Sequence, residues 1–157
     1  MLSEKETHEI EKELKQYKTR QAAGVEALKI IQRSRGWVDD EGIKDLSAIL
    51  GMTPDELDGV ATFYNLIFRK PVGAHVILIC DTVSCWVMGY EKILSHLKNR
   101  LGIGLGETSP DGLFTLLPIP CLGACDKAPA MMIDEELYWN LTPEKIDELI
   151  KRYGWKG

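Results

Sequence analysis

The chain has 157 residues, 45% of them hydrophobic and 27% charged, with a formal net charge of −5. That length corresponds to roughly one domain or two small ones, and the composition excludes collagen, coiled coil and long-range disorder. The acidic balance lacks the basic footprint that phosphate-backbone binding requires, so nucleic acid is not an expected partner.

The first part of the sequence has the period of helices. Glu-rich Ser3 to Lys18 carries Ile10, Leu14 and Tyr17 at helical spacing, and Ala23, Ala27, Ile30 and Ile31 mark a second stripe that stops at Gly36. A third short helix is predicted from Ile43, Leu46, Ile49 and Leu50 before Gly51. Thr53-Pro54-Asp55-Glu56 then supplies an N-cap, a proline at the first helical position and the Glu of a capping box, leading into Val60-Ala61-Thr62-Phe63-Tyr64. These stripes predict a small helical bundle burying its own core, with Phe63 to Phe68 expected mainly inside it and docking against a partner as the second reading.

Pro71-Val72-Gly73 punctuates the chain and sets the expected boundary between domains at 1–72 and 73–157. Beyond it, His75 to Ile79 is a continuous apolar, partly β-branched run ending at Cys80, the pattern of a buried strand. Gly89 to Leu101 predicts a helix with Ile93, Leu94 and Leu97 on one face, stopped by Gly102, Gly104 and Gly106. Leu113 to Leu117 and Ala130 to Ile133 are strand candidates, Asp134-Glu135-Glu136 a hairpin turn before Leu137-Tyr138-Trp139, and Thr142-Pro143-Glu144 the cap of a last helix ending near Tyr153-Gly154. The expected order is β-α-β-β-α. The glycine triplet makes no dinucleotide fingerprint, because Glu107 stands where a later glycine is required and a helix precedes it, and no phosphate cradle occurs elsewhere.

Apolar runs reach only about five residues against the roughly twenty needed to cross a bilayer, so no transmembrane helix is expected. The charged start Met1-Leu2-Ser3-Glu4-Lys5-Glu6 has no apolar signal region, which makes the cytosol the expected compartment. In a reducing compartment, four cysteines bind metal or do redox chemistry more often than they form disulfides. All four lie in the second half: Cys80 and Cys85 as C-x4-C, Cys121 and Cys125 as C-x3-C. Each pair follows a strand candidate, so both loops are expected at the same end of one sheet, where ligands of open α/β sheets are held.

A structural zinc site and two disulfides remain as alternatives. The leading reading is an iron–sulfur cluster, which takes four thiolates and tolerates wide spacing because the ligands surround two irons. The plant-type and bacterial two-cluster spacings are not met, since Trp86, Val87 and Met88 follow Cys85. A Rieske centre lacks its histidines, because none of His8, His75 and His96 sits in a cysteine loop. All-thiolate ligation implies a low potential. Gly123 and Ala124 are small enough for backbone N–H groups to approach cluster sulfurs, and the start of the Gly89 helix near Cys85 is expected to favour its thiolate.

With these residues the chain resembles the thioredoxin-like [2Fe-2S] component of NADH:quinone oxidoreductase, respiratory complex I, known in bacteria as the E subunit. The resemblance runs from about Arg20 to Tyr153, and its most specific pieces are Gly59-Val60-Ala61-Thr62-Phe63-Tyr64, the C-x4-C pair, and Cys121-Leu122-Gly123-Ala124-Cys125 followed by Ala128-Pro129. Glu26-Ala27-Leu28-Lys29-Ile30, Arg35-Gly36-Trp37-Val38 and Met131-Met132-Ile133-Asp134 are similar to the bacterial complex I branch.

The resemblance implies a mixed α+β or α/β protein, with a helical bundle followed by a thioredoxin-like ferredoxin domain. It implies one [2Fe-2S] cluster held by Cys80, Cys85, Cys121 and Cys125. It also implies docking to a flavoprotein subunit that carries FMN and NADH, through it contact with the rest of the peripheral arm, and a place on the cytoplasmic face of the inner membrane without insertion. No residue of this chain is expected to act as acid, base or nucleophile. The small subunit of a soluble NAD-linked hydrogenase or formate dehydrogenase shares the same motif. A zinc-stabilised interaction module and a free-standing ferredoxin are the further alternatives, the ferredoxin disfavoured by the long cysteine-free helical part.

Overall fold

In the computed structural model, which describes residues 1–156, the helical patterning of the N-terminal half becomes four helices: α1 (Glu4–Leu14), α2 (Gly24–Arg35), α3 (Asp40–Leu50) and α4 (Pro54–Phe63). They belong to one compact unit, Met1–Pro71. Ser3 and Glu6 close a capping box on α1, and Thr53 and Glu56 close another on α4 with Pro54 behind the cap. Gly36 and Gly51 end α2 and α3 in the left-handed conformation. The first helix is shorter than the expected Ser3–Lys18: beyond Leu14, Lys15, Gln16 and Lys18 are exposed, and no burial rewards further turns.

Ile10, Leu28, Ile31, Leu46, Leu50 and Leu57 are fully buried in the shared core, each contributing roughly 1.5–3 kcal/mol of apolar burial. The Phe63–Phe68 stretch departs from its expected place in that core. Ile67 is buried, but Phe63 is 81% exposed and Tyr64 and Leu66 are also open to solvent. The cause is the helix end: Tyr64 turns extended, and the following backbone is pinned by polar bonds, Gln32 donating to the Leu66 carbonyl at 2.8 Å and accepting from the Phe68 N–H at 2.6 Å.

Arg35 holds the nearly buried Glu6 carboxylate through two bonds of 2.9 and 3.0 Å. The Arg35 hydrogen bond, opposed by burial and helped by the Ser3 backbone, draws the Glu6 carboxyl down to about 2. Because the folded pKa lies below the unfolded one, the stability from this pair is fully present above about pH 4.5 and is lost as pH falls through 2. It is on the order of 3 kcal/mol by linkage. In acid titrations of chemical unfolding, Glu6→Gln is therefore expected to be less stable than wild type near neutrality and to converge with it toward pH 2. Parallel profiles would count against the linkage.

The second unit, Val72–Gly157, is built on a five-stranded sheet of order β2-β3-β1-β4-β5. Its strands are β1 (His75–Cys80), β2 (Glu107–Thr108), β3 (Phe114–Ile119), β4 (Met131–Ile133) and β5 (Glu136–Tyr138), and its helices α5 (Val83–Val87), α6 (Tyr90–Leu101) and α7 (Pro143–Arg152). β1 and β3 run parallel, with Ile77 beside Leu116 and Cys80 beside Ile119, and the remaining pairings are antiparallel. Alternate side chains Ile77 and Ile79, with Phe114, Leu116, Met131 and Ile133, share a core with Ile93, Leu97 and Leu101 of α6 and Ile146 and Ile150 of α7.

This sheet has two strands more than the expected three-stranded β-α-β-β-α order. β2 is a two-residue edge strand reached from the glycine triplet, and Glu136–Tyr138 pairs with β4 as β5, overlapping the Leu137-Tyr138-Trp139 stretch that follows the expected hairpin turn. Gly102 is the left-handed stop of α6, in keeping with its structural reading. Gly73 is required where the unit begins, since a Cβ there would lie 2.9 Å from the Phe114 backbone. No helix among the described residues is long and apolar enough to cross a membrane.

Candidate metal centre

The parallel pairing of β1 with β3 places two chain exits side by side. Cys80 is the last residue of β1 and lies level with Ile119, the last of β3, and the Asp81 N–H donates to the Ile119 carbonyl at 3.2 Å. Cys121 follows two residues beyond β3, so both cysteine loops leave the carboxyl end of neighbouring parallel strands, as the strand pattern predicted. Cys80 and Cys85 are 2% exposed and pack with Ala128 and Ala130, while Leu122 and Ala124 of the second cysteine loop lie against the same group. Cys121 and Cys125 are exposed, and all four cysteines are free.

Within the second loop the Cys121 and Cys125 sulfurs stand 3.4 Å apart. That is within about 0.4 Å of the roughly 3.8 Å edge of a tetrahedron built on metal–sulfur bonds of about 2.3 Å. Gly123, at φ +78°, turns its N–H onto the Cys121 sulfur at 3.3 Å. In the first loop the Thr82 hydroxyl is 3.2 Å from the Cys80 sulfur. Thr82, and Ser84, whose side chain acts to lower the Cys125 thiol, are contributors that spacing arguments do not mark. The available signal is a hydroxyl residue opening a helix directly after a strand-end cysteine.

Each pair is electrostatically split. Burial works to raise the Cys80 thiol, but hydrogen bonds from the Thr82 hydroxyl and the Thr82 and Leu122 backbone outweigh it and hold Cys80 below its ordinary value. Burial, reinforced by the bond to Cys80, pushes Cys85 up to about 11. The expected stabilisation of a Cys85 thiolate by a helix start is thus reversed: the residue sits inside five-residue α5, where burial dominates. The Gly123 N–H lowers Cys121, and the hydrogen bond with Cys121 raises Cys125.

Among the described residues no three His, Cys, Asp or Glu side chains gather tightly enough to hold a single metal ion. Cys121 and Cys125 form one close sulfur pair, Cys80 and Cys85 pack together as another, and four thiolate donors suit an iron–sulfur cluster. The small residues around them, Gly123, Ala124, Ala128 and Ala130, suit a bulky inorganic group. His75 and His96 take no part: His75 bonds Asp134 at 2.7 Å at the opposite end of β1, and His96 bonds Asp147 at 2.9 Å.

A helical unit followed by a mixed sheet, with two cysteine pairs on adjacent strand ends, defines the class of thioredoxin-like cluster-binding domains. Residues 10–154 match the family model for thioredoxin-like [2Fe-2S] ferredoxin, and the chain belongs to that family. Its relatives are more particular. It is 47% identical over 153 residues to the E subunit of NADH-quinone oxidoreductase from Pseudomonas aeruginosa, covering 98% of this chain and 92% of that one. It is 51% identical over 152 residues to the protein of the same name from Escherichia coli K12, covering 97% and 92%. Among solved structures, the NAD+-reducing [NiFe]-hydrogenase in its H2-reduced state superposes with a TM-score of 0.73 at 26% identity. That match covers 83% of this chain and 22% of the hydrogenase chain.

Proposed function

We propose that this chain is the electron-transfer subunit of an NADH:quinone oxidoreductase, holding one [2Fe-2S] cluster through Cys80, Cys85, Cys121 and Cys125. Single electrons would pass between it and the FMN of an NADH-binding flavoprotein subunit. The observation that carries this is the pairing of four free cysteines on adjacent strand ends in a chain that aligns over 97–98% of its length with E subunits of NADH-quinone oxidoreductase. When bound, the cluster supplies one-electron transfer. The chain supplies ligation, a hydrogen bond from the Gly123 N–H, and a wall of Ala128 and Ala130 that keeps water from Cys80 and Cys85.

A dependent subunit also accounts for two apolar exposures. Val83, Trp86, Val87 and Met88 are exposed on and beside the helix that carries Cys85, and Phe63, Tyr64 and Leu66 are exposed in the N-terminal unit. Apolar groups of this size left in water mark surfaces that a partner covers. In the complex the chain would sit peripherally on the cytoplasmic face of the membrane, joined to the remaining peripheral arm through the flavoprotein.

The hydrogenase likeness supports a second reading, the corresponding segment of a soluble NAD-linked enzyme. Anaerobic purification from the native host separates the possibilities. Two irons and two acid-labile sulfides per chain are expected, together with an FMN flavoprotein and quinone-reductase subunits. One zinc and no sulfide would overturn the cluster, and hydrogenase subunits in their place would select the second reading.

A further inference from the structure

Thr82 stands at the N-cap of α5 with extended backbone, the position from which a threonine hydroxyl ordinarily accepts a hydrogen bond from the first turn. Its side chain makes no such bond. The hydroxyl lies instead 3.2 Å from the Cys80 sulfur. The first turn closes without it, the Trp86 N–H reaching the Thr82 carbonyl at 2.9 Å. A hydroxyl that leaves its cap and meets a buried cysteine sulfur contributes nothing visible to the helix, so its effect falls on the sulfur.

We infer that Thr82 is a positioning residue for the metal centre, its hydroxyl donating to the Cys80 thiolate and thereby raising the reduction potential of the group those sulfurs hold. This rests on the proposed cluster. Adding an electron increases the negative charge on the ligand sulfurs, and a donated hydrogen bond stabilises the more negative state more strongly. With Cys80 only 2% exposed, water cannot readily replace a lost hydroxyl.

The test is a midpoint titration of the anaerobically purified full chain, followed by EPR, for wild type and for Thr82→Val, Thr82→Ala and Thr82→Ser. With iron and sulfide content equal to wild type, Thr82→Val and Thr82→Ala are expected to shift the reduced-to-oxidised ratio at fixed ambient potential about tenfold toward oxidised. For a one-electron couple that is about 59 mV downward. Thr82→Ser, which keeps the hydroxyl, is expected to stay within about threefold of wild type. An unchanged midpoint in whichever hydroxyl-free variant assembles overturns the inference. So does loss of the cluster from both with retention in Thr82→Ser, because the hydroxyl would then hold the loop and not tune it. A wild-type chain that binds no iron and sulfide overturns the functional reading instead.

Discussion

Cys121→Ala is expected to strip the purified chain of its iron and sulfide, while Cys121→Ser is expected to retain metal with an altered visible and EPR spectrum. The distinction follows from ligand chemistry. In the proposed cluster, alanine would leave one iron short of a ligand on the exposed side of the site, whereas serine would offer an oxygen, a harder donor that would change the electronic structure of that iron. The loss should be local. Cys121 lies in a loop outside the packed core, so far-UV circular dichroism of the alanine variant is expected to match wild type. Full iron and sulfide with an unchanged spectrum in Cys121→Ala would remove Cys121 from the ligand set.

Phe114→Ala is expected to cost about 3–5 kcal/mol, the range for truncating a fully buried phenylalanine. Phe114 opens β3 beside His75 in the parallel register, and its ring lies 5.8 Å from the His75 ring and 6.3 Å from Trp155. It therefore joins β1, β3 and the C-terminal segment. Its loss leaves a cavity between strands that both carry cysteine loops, and hydrogen-exchange protection across His75–Cys80 should fall by about a hundredfold or more, each 1.4 kcal/mol being a factor of ten. Phe114→Leu, which keeps most of the volume, should recover much of the protection. A fall of less than fivefold in the alanine variant would place the core's weight elsewhere.

Much of this architecture is legible in the residues because local signals and burial agree. Thr53-Pro54-Asp55-Glu56 announces α4, since a capping box satisfies orphan donors of the first turn and a first-turn proline removes one, in any context. His75 to Cys80 has the continuous apolar run of a buried parallel strand, and it is one. What escapes the sequence is set by length or by neighbours distant along the chain. Five-residue α5 and two-residue β2 are too short to show a period, and β2 exists because β3 offers a free edge. The exposure of Phe63 is likewise hidden, because its position depends on where Gln32 anchors the next segment.

The candidate site divides in the same way. Its four cysteines can be read from spacing, and their convergence from the strand that precedes each pair. The reversal at Cys85 cannot, because it depends on how deeply α5 sinks the sulfur beside Ala128 and Ala130. Thr82 has no signature of its own until the cap bond it forgoes can be seen.

The parallel adjacency of β1 and β3 has a thermodynamic side. In the proposed site, one inorganic group would join Cys80 and Cys85 to Cys121 and Cys125, and so close the chain between Cys85 and Cys121, which contains α6, β2 and β3, into a covalent ring. A cross-link across a segment of that length removes conformational freedom from the unfolded chain worth about 4 kcal/mol. The same sulfurs that would carry electrons would then act as the clasp of the sheet, and reconstitution and refolding of this unit would be one linked equilibrium.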